Sequence, residues 1–401
     1  MKSPVGVPPE AGQEAGQTVA ELLRAVERIG VEVAGPAAAD VDARGRFPQE
    51  SIAALKEARV LSAAVPRALG GAGANPVELA TQCVALGQHC ASSAMILAMH
   101  HIQVASIAQH CGGSPELEAY LRRVVDEQRL IASVTSEVGP SGDMRQSVAC
   151  VTQVDGGFTL SKRATTISYG AYAEDLLITA RRDPEAAPSN QVLVLVLGGD
   201  FSLEEPGTWD TLGMRGTCSA GARVEAKGQA WQVLPEPFAG IATTTMVPLS
   251  HVVWGACWLG IATDAAGKAR AVVRSKARAQ PGVAPAAARR LSGLMTKLQL
   301  LRSEVFLAAR DYSDLLARGD LEGLASLSFV LRLNNLKLSA SQLTVEVVSE
   351  ALFACGIGSY MNKSPFSLSR QLRDAYSAPL MINNDRIHET NASILSVFKG
   401  E

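Results

Sequence analysis

Residues 131–143, IASVTSEVGPSGD, mark the place where the chain changes from one kind of structure to another. Before them, apolar residues recur every three or four positions, as in TVAELLRAVERIG at 18–30, which places them on one face of a helix. After them, short β-branched runs such as QVLVLVL at 191–197 are separated by Gly, Asp and Pro, which is typical of strands and turns. From Met246 onward the helical pattern returns. The order helices, strands, helices predicts an α+β fold and argues against an alternating βαβ sheet.

These changes of pattern predict the boundaries of the parts of the chain. Residues 1–16 are rich in Pro and Gly, and we expect a disordered tail there. We expect an N-terminal helical domain at 17–130, a middle β domain at 131–240 and a C-terminal helical bundle at 241–401. Within the β domain, Asp155-Gly156-Gly157 predicts a hairpin turn. Near the C-terminus, 373–389 (RDAYSAPLMINNDRIHE) predicts a final helix.

The composition excludes several classes of function. The chain has 401 residues, 47% of them hydrophobic, and its 37 basic and 39 acidic residues give a net charge of −2. This balance gives no reason to expect nucleic acid or a membrane surface as a partner. No apolar run approaches the roughly 20 residues that a membrane helix needs. The seven cysteines form no Cys-x-x-Cys pair, no metal-ligand spacing is present, and reduced thiols in a cytoplasmic protein are expected.

Six segments carry a resemblance to a known family. They are FPQESIAALKEARVLSAAVPRALGG (47–71), CASSAMILAMHHIQVASI (90–107), ASVTSEVGPSGD (132–143), GGFTLSKRATTISYGAYAEDLLITAR (156–181), WDTLGMRGTCS (209–219), and FACGIGSY followed by LRDA (353–360, 372–375). In this order they resemble the acyl-CoA dehydrogenase superfamily. The resemblance implies an N-terminal helical domain, a middle β-barrel or sandwich domain and a C-terminal four-helix bundle. It also implies FAD between the β domain and the bundle, in a homo-oligomer that is a dimer or a tetramer.

The resemblance also implies which residues bind the cofactor. They are Thr135, Ser136, Gly139, Ser141, Gly142, Thr166, Ile167, Ser168, Arg278, Phe353, Gly356, Gly358 and Asn384. Hydroxyl groups and backbone N–H groups next to glycines suit a reduced flavin, which needs donors near its ring to hold negative charge. Two of these positions depart from the family. The R-x-x-F-G segment reads ARAQPG around Arg278, and Phe353 stands where the family has a Gln, so the flavin contacts there are altered.

The catalytic base is a further departure. Dehydrogenases of this family use a Glu to take the α-proton of a thioester while a hydride leaves the β-carbon. In most members it lies roughly nine residues beyond the Arg of Arg-Asp-Ala, a spacing that works as a motif. Counting from Arg373 leads to Ile382, whose alkyl side chain cannot take a proton. The position used by a minority of members aligns with Arg270, and Asp264 reaches that pocket only if the alignment slips.

Other groups are candidates for the missing role. Asp385 and His388 follow Ile382 closely and are i,i+3 neighbours if the segment is helical. The alternative is that they form a pair that caps or holds the last helix. His101, or its neighbour His100, lies on a helix that in this family lines the cavity above the flavin. The alternative for a histidine there is a hydrogen bond inside the core. Glu137 is an outside candidate.

Three functions remain open at this point. The first is a flavin-dependent dehydrogenase or oxidase acting on an acyl thioester of CoA or an acyl-carrier protein, with a separate electron acceptor. The second is a flavin monooxygenase on the same fold, which needs no carboxylate aimed at a Cα–H bond. The third is a non-redox or catalytically inactive homologue. The segment RDAYSAPLMINNDRI resembles a branch that is often found beside polyketide or peptide assembly genes, which implies secondary metabolism.

Overall fold

The computed structural model describes residues 17–139 and 143–400. The predicted tail at 1–16 therefore lies outside the described residues. The N-terminal part consists of helices. They are α1 (Val19–Ile29), α2 (Gly35–Arg44), α3 (Gln49–Glu57), α4 (Pro76–Gly87), α5 (Ala91–His110) and α6 (Pro115–Glu127). Capping boxes at Thr18 and Asn75 satisfy the free N–H groups at the starts of α1 and α4.

The middle part contains two sheets. The strands are β1 (Ile131–Val134), β2 (Thr152–Val154), β3 (Gly157–Ala164), β4 (Asp175–Arg181), β5 (Gln191–Val196), β6 (Phe201–Glu204) and β7 (Ala222–Gln229). One sheet has the order β1-β4-β5, with β1 parallel to β4, and the other has the order β2-β3-β7-β6. The Asp155-Gly156 turn joins β2 to β3 with Gly156 at φ 72°, which confirms the predicted hairpin. β5 is buried along its whole length, as its unbroken apolar run predicts.

The C-terminal part is a helical bundle, and the α+β fold is thereby confirmed. Its helices are α7 (Phe238–Ile241), α8 (Val247–Ala279), α9 (Ala288–Arg318), α10 (Leu321–Ala325), α11 (Leu327–Cys355), α12 (Ile357–Tyr360), α13 (Ser369–Leu380) and α14 (Asn384–Leu395). A π-helical stretch, Ala242–Met246, joins α7 to α8. The single final helix predicted at 373–389 is wrong, because the chain breaks between α13 and α14. Ile382 and Asn383 adopt left-handed backbone at this break, with φ of 60° and 48°.

Two glycines bring the N-terminal helices close to the bundle. A Cβ on Gly87 of α4 would lie 2.9 Å from the carbonyl oxygen of Cys257 on α8, and a Cβ on Gly260 would lie 2.7 Å from the carbonyl carbon of Gly87. Only residues without a side chain allow the two backbones to approach this closely. The two domains therefore share one hydrophobic core across this crossing.

Two helical stretches are apolar and long enough to cross a membrane by length and composition, contrary to the sequence-based expectation. They are Ala91–His110 and Phe238–Ala279. The most apolar part of each is 89% and 94% buried inside the fold. Their hydrophobicity is therefore explained by their position in the core.

Candidate functional site

A chain of hydroxyl groups begins where β1 and β3 end. The Ser136 hydroxyl donates to the Thr166 carbonyl oxygen at 2.7 Å and accepts from the Thr166 backbone N–H at 3.0 Å. Thr135 and Ser136 are half-buried and Thr166 is exposed. The structure thus brings together two segments that are 30 residues apart and that were both predicted to bind the cofactor.

A separate set of hydroxyl groups runs from Ser168 into the 209–219 turn. Ser219 Oγ donates to Ser168 Oγ at 2.9 Å and lies 2.8 Å from Thr217 Oγ1. Thr217 Oγ1 in turn donates to the carbonyl oxygen of Met214 at 2.8 Å. Ser219 and Thr217 were not predicted as site residues, although they lie in a segment that carried the family resemblance.

Asp374 of α13 binds the same turn to the bundle. Its Oδ1 accepts from the Met214 backbone N–H at 2.7 Å, and a Cβ on Gly213 would lie 2.2 Å from the Arg373 carbonyl oxygen. Burial raises the pKa of Asp374 to about 6, against the opposing charge of Arg370. A continuous path of hydrogen bonds thus joins the β domain to α13, the helix that leads into the Ile382 turn.

The start of α14, just after Ile382, is linked electrostatically to the loop that follows β1. Ile382 itself is 39% exposed. On the first turn of α14, Arg386 is close enough to Asp143 that its positive charge contributes, after the hydrogen bond from Arg145, to the lowered pKa of Asp143. The Asn383 side chain caps α14 by accepting from the Asp385 N–H at 3.1 Å. We use the name interdomain junction for the loop that follows β1, the hydroxyl groups described above and the start of α14.

Two of the three predicted catalytic residues lie at the surface near this junction. Asp385 and His388 are exposed on α14, whereas Asn384, Ile387 and Asn391 are buried. Their i,i+3 spacing on a helix is confirmed. Their roles stay predictions.

The third predicted catalytic residue, His101, lies in the core. It is 0% exposed, and its Nε2 lies 3.2 Å from Gln82 Oε1 on α4. Burial, followed by the nearby His100, lowers the pKa of His101 well below its ordinary value. His100 is equally buried, with its Nε2 2.7 Å from the Leu61 carbonyl oxygen and its Nδ1 accepting from the Ile131 N–H. Both histidines are therefore hydrogen-bonded inside the core, which was the alternative to a catalytic role in the sequence analysis.

Glu137 makes its hydrogen bonds and its ion pair within the β domain. Its carboxylate accepts from the Ser147 hydroxyl and from the backbone N–H groups of Val148 and Ala149, and it lies 3.6 Å from the buried Lys162 amine. Lys162 also donates to Thr179 Oγ1 at 2.8 Å. A carboxylate with this many donors holds its loop in place, and it does not act as a free base.

The remaining ring-binding predictions divide into three groups. Ile167 has its side chain in the core at 1% exposure and its N–H bonded to the Ala220 carbonyl oxygen, so it presents no surface to a ligand here. Gly139 is exposed with φ 121°, a conformation suited to glycine. Ser141 and Gly142 lie outside the described residues.

A second group of predicted cofactor residues lies at the end of α11. Phe353 is 61% exposed, and the Arg290 guanidinium carbon is 5.6 Å from its ring centre. Next to it, a groove of about 430 Å³ is lined by Arg289, Arg290 and Lys297 among others. Gly356 ends α11 at φ 77°, and Gly358 follows in α12. Arg278 is exposed at the end of α8. We call the Arg289–Arg290–Lys297 surface the basic groove.

The alternative base positions on α8 carry no free carboxylate in the described structure. Arg270 is exposed and contacts Met295. Asp264 accepts from the Gln371 amide and lies 3.3 Å from the Lys268 amine. With His89 and Lys268 it lines a groove of about 340 Å³ beside α4.

The last predicted cofactor residue, Asn384, points into the bundle. Its Oδ1 accepts from the amine of Lys337 on α11 at 2.6 Å, and its Nδ2 donates to Ser341 Oγ at 3.1 Å. Lys337 was missed from the sequence, where it appeared only as one polar residue within an apolar pattern. Its burial next to the Ile382 turn becomes visible only once α11 and α14 are packed together.

The known proteins that this chain resembles share both its length and its architecture. The family description "acyl-CoA dehydrogenase, N-terminal domain" matches residues 17–128. Cyclohex-1-ene-1-carbonyl-CoA dehydrogenase from Geobacter metallireducens is 25% identical over 91% of this chain and 94% of its own length. The solved structure of butyryl-CoA dehydrogenase from Megasphaera elsdenii superposes with a TM-score of 0.80 over 97% of this chain and 100% of that one, at 19% identity. The chain is thus similar to the acyl-CoA dehydrogenase superfamily in its N-terminal domain and, at lower identity, along nearly its whole length.

Members of this fold include proteins with a different reaction. Dibenzothiophene monooxygenase (TdsC) from Paenibacillus sp. A11-2 superposes with a TM-score of 0.78 over 93% of this chain and 96% of that one, at 19% identity. TdsC has also been solved with FMN bound. At this identity the likeness concerns the fold alone.

The residues of this chain fit a flavin in two respects. The interdomain junction offers uncharged hydroxyl groups from Ser136, Thr166 and Ser168, which suit the polar edge of a flavin ring. The basic groove offers guanidinium and ammonium groups, which suit the phosphates of a flavin nucleotide. Glu350 also lines the groove and pairs with Arg290 at 3.2 Å, and Lys297 pairs with Glu346 at 2.6 Å, so a phosphate there would compete with these carboxylates. Within the described residues no group of three or more His, Cys, Asp or Glu side chains is arranged to hold a metal ion.

Proposed function

We propose that this protein is a flavin-dependent oxidoreductase that oxidises an acyl thioester of CoA or of an acyl-carrier protein. The observation that carries the proposal is the interdomain junction. There, Ser136 bonds to the backbone of Thr166, and a hydrogen-bonded path leads from Ser168 through Ser219 and Thr217 to the turn that Asp374 holds, beside the turn where relatives carry their base. The similarity to a CoA-thioester dehydrogenase over nine-tenths of both chains supports the same class of substrate.

In this reaction, each residue at the junction would have a separate role. When bound, a flavin supplies the acceptor for the electron pair that leaves the substrate β-carbon as hydride. The Asp385 carboxylate takes the proton from the α-carbon, and the two electrons of that C–H bond form the Cα–Cβ double bond. Asp385 is three residues from Ile382, exposed, and on the helical turn that is linked electrostatically to the β1 loop. The hydroxyls of Ser136 and Thr166 orient the ring edge and stabilise negative charge there.

We propose that the nucleotide form is FAD. The basic groove presents Arg289, Arg290 and Lys297 beside the exposed ring of Phe353. Guanidinium groups bind phosphates through two parallel hydrogen bonds, and an exposed aromatic face suits stacking of an adenine. FMN lacks the second phosphate and the adenosine that such a groove would hold. In a homo-oligomer, as the family resemblance implies, this groove would serve a flavin shared with a neighbouring subunit.

A monooxygenase using reduced flavin and O₂ is the second candidate. One observation favours it specifically. The position of the dehydrogenase base is the alkyl side chain of Ile382, held in a left-handed turn. A monooxygenase needs no proton acceptor at a substrate α-carbon, and TdsC shows that this fold accommodates a monooxygenase. In that case the electrons come from a flavin reduced by another protein.

The test is anaerobic titration of the FAD-loaded protein with a panel of acyl-CoA and acyl-carrier thioesters. We expect the flavin absorbance band to bleach with at least one thioester. Asp385→Asn should slow this bleaching by about a hundredfold, a typical loss for removal of a general base. It should leave the bound flavin content unchanged, because Asp385 lies on the surface of α14.

Glu389→Gln is the matched control, since Glu389 is an exposed carboxylate one turn further along the same helix. It should bleach at the wild-type rate. Equal rates for Asp385→Asn and wild type would remove Asp385 from the mechanism. Absence of bleaching with every thioester, together with oxygen consumption when reduced flavin is supplied, would replace the first candidate by the monooxygenase. Absence of both reactions would indicate a catalytically inactive homologue.

A further inference from the structure

Lys337 is a buried amine in the middle of the bundle. It is 0% exposed on α11, and its Nζ lies 5.8 Å from the centre of the Trp258 ring on α8. Burial lowers its pKa to about 8, and no carboxylate of the described chain lies close enough to oppose this shift. A buried ammonium without an ionic partner is unfavourable, so its retention calls for a specific contact. The one side chain of the described chain that accepts from its amine is Asn384, at 2.6 Å.

Asn384 is one of the few residues that attach α14 to the rest of the protein. The buried residues of α14 are Asn384, Ile387 and Asn391. Asn391 is held by Asn334 at 2.8 Å and by Asn335 at 3.0 Å, both on α11. The face of α14 that docks on α11 is therefore mostly polar, and side-chain hydrogen bonds determine its position where an apolar stripe would normally do so.

The position of Asn384 determines the backbone just before it. Ile382 and Asn383 have φ of 60° and 48°. A β-branched residue is rarely found in this left-handed region, because its Cβ crowds the following carbonyl group. Such a conformation persists only where the surrounding contacts impose it. On the C-terminal side of the turn, those contacts are the bonds from Asn384 to Lys337 and Ser341.

We propose that Lys337 is a positioning residue that holds the Met381–Asn384 turn in its left-handed conformation by binding Asn384. Through this contact it determines how the first turn of α14, with Asp385, faces the interdomain junction. The link to turnover rests on the proposed function, whereas the contact itself does not. Lys337 acts through Asn384 and takes no proton from the substrate.

The test uses flavin-loaded full-length protein and four variants. Lys337→Met removes the amine and keeps the length of the side chain, and Asn384→Leu removes its acceptor. The double variant shows whether the two residues act through one contact, and Lys337→Arg restores a donor. Lys363→Met is the control, since Lys363 is exposed in the loop before α13. The readouts are hydrogen exchange of the backbone amides at 382–387, flavin content, and kcat and KM separately.

We expect Lys337→Met to speed exchange at 382–387 by about tenfold, while amides in α8 and β4 keep their rates, because only this turn opens locally. Turnover should fall by about a hundredfold in kcat with KM nearly unchanged, as expected for a displaced catalytic group. Asn384→Leu and the double variant should match Lys337→Met, and Lys337→Arg should recover most of the loss.

Several results would overturn the proposal. They are unchanged exchange at 382–387, exchange that rises uniformly along the chain with loss of flavin, additive effects of the two single variants, or no recovery by Lys337→Arg. Failure of the proposed function looks different. The wild-type protein would then bleach with no thioester, while the exchange measurements would still report on the Lys337–Asn384 contact.

Discussion

At the scale of single residues, the interdomain junction contains a carboxylate whose charge depends on pH in an unusual range. Asp374 is buried, and burial raises its pKa to about 6. Its partner is a backbone N–H group, that of Met214. The neighbouring Arg373 bonds elsewhere. Burial in the folded protein therefore favours the neutral, protonated form of the Asp374 carboxyl group, compared with the same group in water.

Asp374→Asn should change how stability depends on pH. Because the folded pKa is raised from 3.8 to about 6, the stability contributed by protonated Asp374 is fully present below about pH 4. It is lost as pH rises through 6, and two pKa units correspond to about 3 kcal/mol. Asparagine stays neutral and keeps an oxygen for the Met214 N–H. Chemical denaturation at pH 4, 5, 6 and 7 should therefore show a wild-type-minus-variant free energy of unfolding that falls with pH.

Asp126→Asn serves as the control for this measurement, since Asp126 is exposed on α6. The difference in free energy of unfolding between wild type and Asp126→Asn should not change across the same pH range. A flat difference for Asp374→Asn as well would show that Asp374 is not an acid of raised pKa.

At the scale of elements, an ion pair links α13 to a helix of the N-terminal domain. Both terminal nitrogens of Arg373 donate to the Asp42 carboxylate on α2, and one also donates to the Leu212 carbonyl oxygen. The Arg of the Arg-Asp-Ala segment thus bridges the bundle, the N-terminal domain and the 209–219 turn. This Asp42 partner lies 331 residues before Arg373 in the sequence.

Arg373→Ala should lower the free energy of unfolding by about 2 kcal/mol, since it removes charged, paired hydrogen bonds to a mostly buried carboxylate. Arg44→Ala is the control, because Arg44 pairs with Asp40 on the exposed side of the same helix α2. Exposed pairs of that kind contribute about 0–1 kcal/mol. The melting temperatures of the two variants are compared. An equal decrease for both would show that the Arg373–Asp42 pair stabilises the protein no more than an exposed ion pair does.

At the scale of the whole molecule, two separate surfaces are offered to one cofactor. The interdomain junction provides hydroxyl groups, whereas the basic groove beside Phe353 provides positive charge. The close α4–α8 crossing at Gly87 and Gly260 brings the N-terminal helices against the bundle, which carries the basic groove. A dinucleotide would use both surfaces of the oligomer, and a mononucleotide would use the first alone.

The double variant Arg289→Ala/Arg290→Ala should therefore weaken FAD binding about tenfold or more, because each lost charge-assisted bond to a phosphate weakens binding by that order. Binding of FMN should change much less. Flavin fluorescence titrations of the apoprotein measure both affinities. Arg302→Ala, an exposed arginine elsewhere on α9, is the control. Equal losses for FAD and FMN would contradict the assignment of the groove to the adenosine half.

Much of the fold was predictable because hydrophobic periodicity is a local property. The spacing of Leu22, Val26 and Ile29 defines one buried face of α1, and the Asp155-Gly156 pair defines a hairpin turn. The break between α13 and α14 was not predictable in this way. Ile382 has no local preference for left-handed backbone, and the contacts that impose it come from α11.

The sequence by itself determined the α+β order, the family resemblance and the absence of a carboxylate at Ile382, because periodicity, motif order and residue identity do not depend on folding. Only the tertiary structure decided which groups meet. It placed His101 in the core, joined Ser168 to Asp374 through the 209–219 turn, and buried Lys337 against Asn384. Hydrogen bonds and burial act between residues that are tens or hundreds of positions apart, and the packing of helices and sheets alone brings such residues within reach of one another.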